Sequence, residues 1–195
     1  MMGSSNEVIA AYLHSNQHLL ENISVMQSLL LNKRTEWSIT DAPQNEYFRL
    51  TSATIRNGNL DSMDAEMDYN FPIVIEIICE KIIADCEIGL TIMIADHYNT
   101  PIILTTHCFE ETNNKSFYGV SGTIRYTCNI PKQLLNIGIY QVNLATFINN
   151  LVPSLYISNV LTFKAVSKNE KQSDFLKKNP IKLASAFSWS LMQLY

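Results

Sequence analysis

The stretch that decides the fold runs from Ile88 to Phe147, opening with IGLTIMIAD (88–96) and closing with GIYQVNLATF (138–147). Every second residue in both segments is large and apolar: Ile88, Leu90, Ile92 and Ile94 in the first, and Tyr140, Val142 and Leu144 in the second. Side chains two apart lie on one face of a β-strand, so each segment offers one face to a core. The stretch predicts an antiparallel sandwich.

Strand-like alternation extends outward from this stretch in both directions. The seven candidate strands are Tyr47–Arg56, Phe71–Lys81, Ile88–His97, Pro101–Phe109, Gly119–Ile130, Ile139–Ile148 and Leu155–Val166. In the second of these strands the predicted core face holds Phe71, Ile73, Ile75, Ile77 and Cys79. Turn residues such as Asn57-Gly58 and Asn99 separate the strands. We predict an all-β protein, an immunoglobulin-like antiparallel β-sandwich with a short N-terminal helix.

Two local features are expected to shape the sixth strand. Gly138 precedes it, and we expect the glycine to permit a tight chain entry that a Cβ atom would obstruct. We expect Tyr140 to bury its ring while its hydroxyl finds a backbone partner at the corner of the sandwich.

The ends of the chain differ from its middle. Ser4 and Glu7 form a capping box, and the apolar stripe that follows predicts a helix from about residue 5 to residue 15. We assign residues 1–44 to a linker helix and connector, 45–166 to the sandwich, and 167–195 to a linker with a C-terminal edge or exchanged strand. Phe187, Trp189, Leu191 and Leu194 give that last segment its apolar character.

Composition excludes several classes of function. The 195 residues carry a net charge of −4 and scattered Lys and Arg, so no basic stripe is available for nucleic acid. No apolar run approaches the roughly 20 residues that cross a bilayer, and the N-terminus does not resemble a signal peptide. We expect a cytoplasmic protein with one compact domain and appendages.

Cysteine and histidine spacing argues against metal and cofactor chemistry. Cys79, Cys86, Cys108 and Cys128 would allow two disulfides, but their positions in apolar strands favour buried thiols. The chain has no Cys-x-x-Cys pair, and its four histidines do not cluster with the cysteines. Neither a metal nor a cofactor is expected.

An enzyme is also disfavoured. Paired carboxylates could hydrolyse glycosides, but the acidic candidates fall at strand ends and turns, where such residues usually face water: Asp85, Glu87, Asp96, Glu110 and Glu111. We therefore expect no catalytic residues.

A set of side chains opposite the predicted core faces could bind a ligand. It comprises Thr91, Met93, Thr105, His107, Gln141, Asn143 and Phe147. Planar polar groups beside an aromatic ring suit a sugar, and a solvent-side phenylalanine such as Phe147 requires an explanation. The alternatives are that these are plain solvated strand residues, or that the helical linker or the tail covers Phe147.

The order of these segments resembles a known family. The matching phrases are Ala53-Thr54-Ile55 ending at Asn57-Gly58, the 88–96 strand with its turn before Pro101, Ile130-Pro131 through Val142, and Val160-Leu161-Thr162-Phe163. They resemble the C-terminal carbohydrate-binding domain of the ATPase subunit of ABC transporters that export O-antigen, the Wzt type, over residues 45 to 166. Residues 6–12, NEVIAAY, are similar to the last helix of the nucleotide-binding domain in such subunits.

The resemblance implies a noncatalytic glycan-recognition domain that binds the exported polysaccharide, typically at its modified non-reducing end, and couples chain completion to export. No Gly-x-x-x-x-Gly-Lys-Ser/Thr motif is present, so ATP hydrolysis would belong to another domain of the subunit. The implied partners are the glycan, a second copy in a homodimer, and the nucleotide-binding and transmembrane subunits, at the cytoplasmic side of the inner membrane. The alternative is a protein-interaction or dimerisation sandwich without glycan binding.

Overall fold

The computed structural model describes residues 31–58, 65–107, 119–149, 152–167 and 187–194. The chain divides into two units, Met1–Leu31 and Asn32–Tyr195, and every strand described below belongs to the second. The helix predicted near residues 5–15 lies outside the described residues. Among the residues that are described, no helix is long and apolar enough to span a membrane.

The described residues form ten strands. They are β1 (Arg34–Glu36), β2 (Phe48–Asn57), β3 (Glu66–Asp68), β4 (Ile73–Lys81), β5 (Ile88–Asp96), β6 (Pro101–Thr106), β7 (Gly122–Ile130), β8 (Gly138–Ile148), β9 (Val152–Val166) and β10 (Ser188–Leu194). All seven predicted strands are present, as β2 and β4 to β9. The short β1 lies in the stretch that the sequence analysis assigned to the connector, and β10 lies in the C-terminal segment.

The strands make two five-stranded sheets. The first sheet has the order β1-β2-β4-β7-β10, and the second has the order β3-β9-β8-β5-β6. Neighbouring strands are antiparallel except for β3 and β9, which pair in parallel. The predicted all-β sandwich is confirmed.

The core lies between the sheets and is lined by alternate residues of their strands. Ile75 and Ile77 of β4, Ile92 and Ile94 of β5, and Val142 and Leu144 of β8 are all at most 1% exposed, which confirms the predicted core faces. Phe71 is the exception, because it is 44% exposed. Its backbone N–H donates to the Asp68 carbonyl at 3.1 Å in a turn ahead of β4, so the strand alternation does not reach it.

Several hydrogen bonds join the two sheets, among them the one from Thr35 Oγ1 of β1 to the Val160 carbonyl of β9. The Tyr126 hydroxyl on β7 donates to the Ile88 carbonyl on β5 at 2.8 Å across the core. At one side of the sandwich the Asn57 amide of β2 exchanges two hydrogen bonds with the Asp68 backbone of β3, at 2.6 and 3.0 Å. At the other side Trp189 Nε1 of β10 donates to Thr105 Oγ1 of β6 at 3.0 Å. The sheets are therefore joined at the centre and along both sides.

The structure at the start of β8 confirms the expectation for Tyr140 but not the one for Gly138. The Tyr140 hydroxyl donates to the Asn136 carbonyl at 3.0 Å, as predicted for a buried tyrosine with a backbone partner. The steric role given to Gly138 is wrong, because a Cβ there would meet the Tyr140 ring at 3.6 Å, an ordinary van der Waals contact. Gly122, the first residue of β7, adopts a strongly positive φ of +114°.

The described cysteines are buried thiols. Cys79, Cys86 and Cys128 lie in the core, whereas Cys108 lies outside the described residues. Burial raises the pKa of the Cys79 thiol to about 12 and also raises the pKa of Cys86. Within the described ranges no cluster of three potential metal ligands occurs.

Candidate functional site

The outward face of the second sheet gathers five of the seven predicted site residues. Met93 stands opposite Asn143 in the β5–β8 register, and Thr91 and Gln141 stand opposite Ala145 and Ala95. Phe147, opposite Gly89, lies on the same face, since it is two residues beyond Ala145 along β8. The structure therefore brings Thr91, Met93, Gln141, Asn143 and Phe147 together.

Thr105 and His107 do not belong to this face, and their assignment to it was wrong. Thr105 pairs with the core residue Ile92, and the His107 ring packs edge-to-face against Tyr126 and Trp189, with centroids 5.4 and 5.9 Å apart. Both are only 8% exposed. The error arose because β6 is apolar at Ile102, Ile103 and Leu104 alike, so its alternation does not reveal which set faces the core.

Two of the five gathered residues are buried despite facing outward. Thr91 is 5% exposed and shares a 2.8 Å hydrogen bond with the Thr106 hydroxyl. Asn143 is fully buried, and its Oδ1 accepts the Asn159 backbone N–H at 2.7 Å, while its Nδ2 has no hydrogen-bond partner among the described residues. Residues 158–160 form a bulge opposite Asn143, where Asn159 has a φ of +54°. Both side chains hold strands together rather than meet a ligand.

Tyr156 is an accessible aromatic residue that the sequence analysis missed. It stands opposite Ala145 in the β8–β9 register, on the same outward face, and is 60% exposed. The signal was present in the sequence, since Tyr156 alternates with Leu155 and Ile157, which pack against the core. The residues of this face that a ligand could contact are Tyr156 and the partly buried Met93, Gln141 and Phe147.

A separate cleft of about 250 Å³ lies on the outward side of the first sheet. Its floor is one row across three strands, in which Arg49 of β2 pairs with Glu80 of β4 and Glu80 with Thr123 of β7. Arg49 Nη2 donates to Glu80 Oε2, and the two side chains are 25% and 44% exposed. The full lining is Trp37, Ser38, Ile39, Ala42, Arg49, Leu50, Thr51, Glu80 and Thr123.

The wall of the cleft is the segment 37–42, which hydrogen bonds fix against β2. Trp37 donates its backbone N–H to the Thr51 carbonyl at 3.1 Å. The Ser38 hydroxyl donates to Asp41 Oδ2 at 2.6 Å, and the Ser38 carbonyl accepts the Ala42 N–H at 3.0 Å. Because the segment is held at its start and along its turn, the cleft is formed without a ligand.

A β-bulge places one further side chain in the cleft. The β2–β4 register passes from Leu50–Cys79 directly to Ser52–Ile78, so Thr51 has no partner on β4. An extra residue of this kind bends the strand and re-aims side chains, which is why bulges recur beside functional sites. Thr51 is exposed and lines the cleft.

A group of ion pairs lies farther along this outward face. Glu76 lies between Arg56, whose Nη2 is 2.9 Å from Oε1, and Arg125, whose Nε is 3.9 Å from Oε2. The Arg125 Nε is buried and makes no hydrogen bond to the described part of the chain. The first sheet thus presents charged and hydroxyl side chains, whereas the second presents Leu104 and Tyr156, which are 68% and 60% exposed.

Asp96, one of the carboxylates considered for catalysis, stabilises a turn. Asp96 Oδ1 accepts the backbone N–H groups of Tyr98 and Thr100, at 2.9 and 2.8 Å, and so caps the β5–β6 hairpin. The hydrogen bond from Thr100 lowers the pKa of Asp96, since it stabilises the charged form.

No protein-family model matches the chain, and no curated protein matches it by sequence. Among solved structures it is similar to the crystal structure of the C-terminal domain of wzt. That match has a TM-score of 0.52 and 10% sequence identity, and it covers 73% of this chain and 82% of the other. The resemblance read from the strand phrases is thereby confirmed at the level of the fold: the chain folds as the Wzt C-terminal domain does.

Proposed function

We propose that this chain is a noncatalytic glycan-recognition domain of an ABC transporter ATPase subunit, which binds the exported polysaccharide at its modified non-reducing end. The observation that carries the proposal is the shared fold with the Wzt C-terminal domain. The sequence phrases that resemble that family lie on β2, β5, β8 and β9 of the same sandwich.

The surface chemistry supports sugar binding. Sugars are held by planar hydrogen-bonding side chains and by aromatic faces on a rigid platform. Both outward faces of the sandwich offer such groups, with Arg49 and Glu80 beside Trp37 on the first sheet and with Gln141 and Tyr156 on the same face of the second. The domain would recognise glycan and leave ATP hydrolysis to a nucleotide-binding domain.

The family also suggests the setting. We expect a homodimer that works with the nucleotide-binding and transmembrane subunits of an exporter at the cytoplasmic face of the inner membrane. In that position a bound chain end would signal that the polysaccharide is complete.

An assembly sandwich without glycan binding is the second candidate. Ile102 and Leu104 on the outer strand β6 are 40% and 68% exposed, and an exposed apolar edge commonly marks a protein contact. This reading predicts self-association and no affinity for polysaccharide.

Calorimetric titration separates the two candidates. The purified chain is titrated with lipid-free polysaccharide from the strain that carries the gene, before and after removal of the terminal residue. We expect binding to the intact polymer and weaker binding to the trimmed one. Absence of binding to both, with a dimer in analytical ultracentrifugation, would support the assembly sandwich instead.

A further inference from the structure

We infer that the cleft formed by Trp37, Arg49, Thr51, Glu80 and Thr123 on the first sheet is the sugar-binding site, and that it takes one neutral, hydroxyl-bearing ring of the glycan. This inference rests on the proposed function and assigns its site to a different face from that indicated by sequence alternation. The predicted face has a buried centre, since Ala95 and Asn143 are 0% exposed there.

The size of the cleft fits a single ring. The cleft has a volume of about 250 Å³. Pockets for drug-sized ligands start at about 300 Å³. A longer glycan would therefore place one unit in the cleft and lay the next across the adjoining row of the sheet, where Arg125 lies two residues beyond Thr123.

The charges favour a neutral ligand. A guanidinium has five N–H donors and a carboxylate about four acceptor sites, so the Arg49–Glu80 hydrogen bond leaves most of both sets available. A pair of neighbouring hydroxyls both donates and accepts, and it can therefore satisfy Glu80 and Arg49 together. The Arg49–Glu80 pair carries no net charge, so a phosphate or carboxylate on the sugar would have to compete with Glu80 for Arg49.

The walls supply the apolar contact that a sugar ring needs. Trp37 and Ile39 line the same cleft, and Ile39 is 70% exposed. The C–H face of a pyranose packs on such surfaces while its hydroxyls point to the polar floor. Because hydrogen bonds already hold residues 37–42 against β2, binding would require little ordering of the protein.

The test compares two ion pairs of the same sheet. Glu80→Gln and Arg49→Met alter the cleft, whereas Glu76→Gln and Arg56→Met alter a pair that does not line it. The probe is the strain's own lipid-free polysaccharide, titrated into each full-length variant by calorimetry, with far-ultraviolet circular dichroism to confirm folding. We expect the cleft variants to bind at least about tenfold more weakly, as loss of a hydrogen bond to a charged group implies, and the control variants to change affinity by less than about twofold.

Fluorescence gives an independent measure. The chain has two tryptophans, and Trp189→Phe leaves Trp37 as the only one. The polysaccharide should shift or quench Trp37 emission in this background. Wild-type binding that Glu80→Gln and Arg49→Met leave intact, without a Trp37 signal, would overturn the cleft assignment while leaving the proposed function standing. Absence of binding to the wild-type chain would overturn both.

Discussion

At the scale of single residues, Asn143 shows how an outward-facing polar side chain becomes structural. Its carbonyl oxygen satisfies the N–H of Asn159, a residue held at positive φ in the β9 bulge. The sequence places Asn143 correctly on the outward face, but alternation carries no information about a bulge on the neighbouring strand. Burial of a residue such as Asn143 therefore lies beyond prediction from periodicity.

Asn143→Ala should destabilise the protein by about 1–3 kcal/mol, because the hydrogen bond to the Asn159 N–H and the packing of a fully buried side chain are both lost. Gln141→Ala, on the same face and partly exposed, is the matched control and should change the free energy of unfolding by less than about 0.5 kcal/mol. Urea denaturation followed by circular dichroism measures both. Equal effects would mean that the Asn143–Asn159 hydrogen bond contributes nothing specific.

The Cys79 thiol should resist alkylation in the folded protein. Burial raises its pKa to about 12, so the reactive thiolate stays scarce between pH 7 and 9, and labelling by iodoacetamide should stay slow across that range. Unfolding in urea should restore rapid labelling, as peptide mass spectrometry would show. Rapid labelling of native Cys79 at pH 8 would contradict its placement in the core.

The same pKa shift has a defined sign for stability. A thiol whose pKa is raised from 9.0 in the unfolded chain to about 12 in the fold keeps its proton longer when folded. Its stabilising contribution is fully present below pH 9 and is lost as the pH rises towards 12.

At the scale of strands, prediction succeeds where the two faces of a strand differ strongly. In β5 and β8 large apolar residues alternate with smaller or more polar ones, and both strands and their core faces are recovered. It fails for Thr105 and His107 because β6 is apolar on both faces. The three-residue strands β1 and β3 are too short to show a period, and they form through pairing with β2 and β9.

The glycines at the two strand starts provide a contrasting pair. Gly122→Ala should destabilise by about 1–3 kcal/mol, since a φ of +114° is strained for any residue with a Cβ. Gly138→Ala should be tolerated, because its φ is not positive and the added methyl makes only an ordinary contact with Tyr140. Thermal unfolding of the two variants would measure the difference. A larger loss for Gly138→Ala would contradict the corner geometry.

At the scale of the whole molecule, the cleft could not be predicted from the sequence, because its lining residues are far apart in the chain. Trp37 precedes the first long strand, Glu80 is the penultimate residue of β4 and Thr123 is the second residue of β7, so no local pattern brings them together. Only the strand order of the first sheet and the fixed 37–42 segment make them neighbours. Sequence alternation recovers the sandwich, but it does not reveal which surface the loops shape into a concavity.

The contact between β10 and β6 should matter to the stability of both sheets. Trp189→Ala removes the hydrogen bond to Thr105 and the packing against His107, and we expect a loss of about 2–4 kcal/mol. Met192→Ala on the exposed side of the same strand is the control and should cost less than about 0.5 kcal/mol. Chemical denaturation reports both. If the two variants unfold at the same urea concentration, β10 does not hold the sheets together through Trp189.

The parallel pairing of β3 with β9 has a consequence for the rate of folding. The ion pair between Glu66 and Lys164 on these strands joins residues 98 positions apart. The chain loses the entropy of closing that long loop before it gains the contacts, and sandwiches with such distant pairings fold in milliseconds to seconds. In refolding experiments the second sheet should gain its β3 edge late, and chains that await this step are the ones most prone to aggregate.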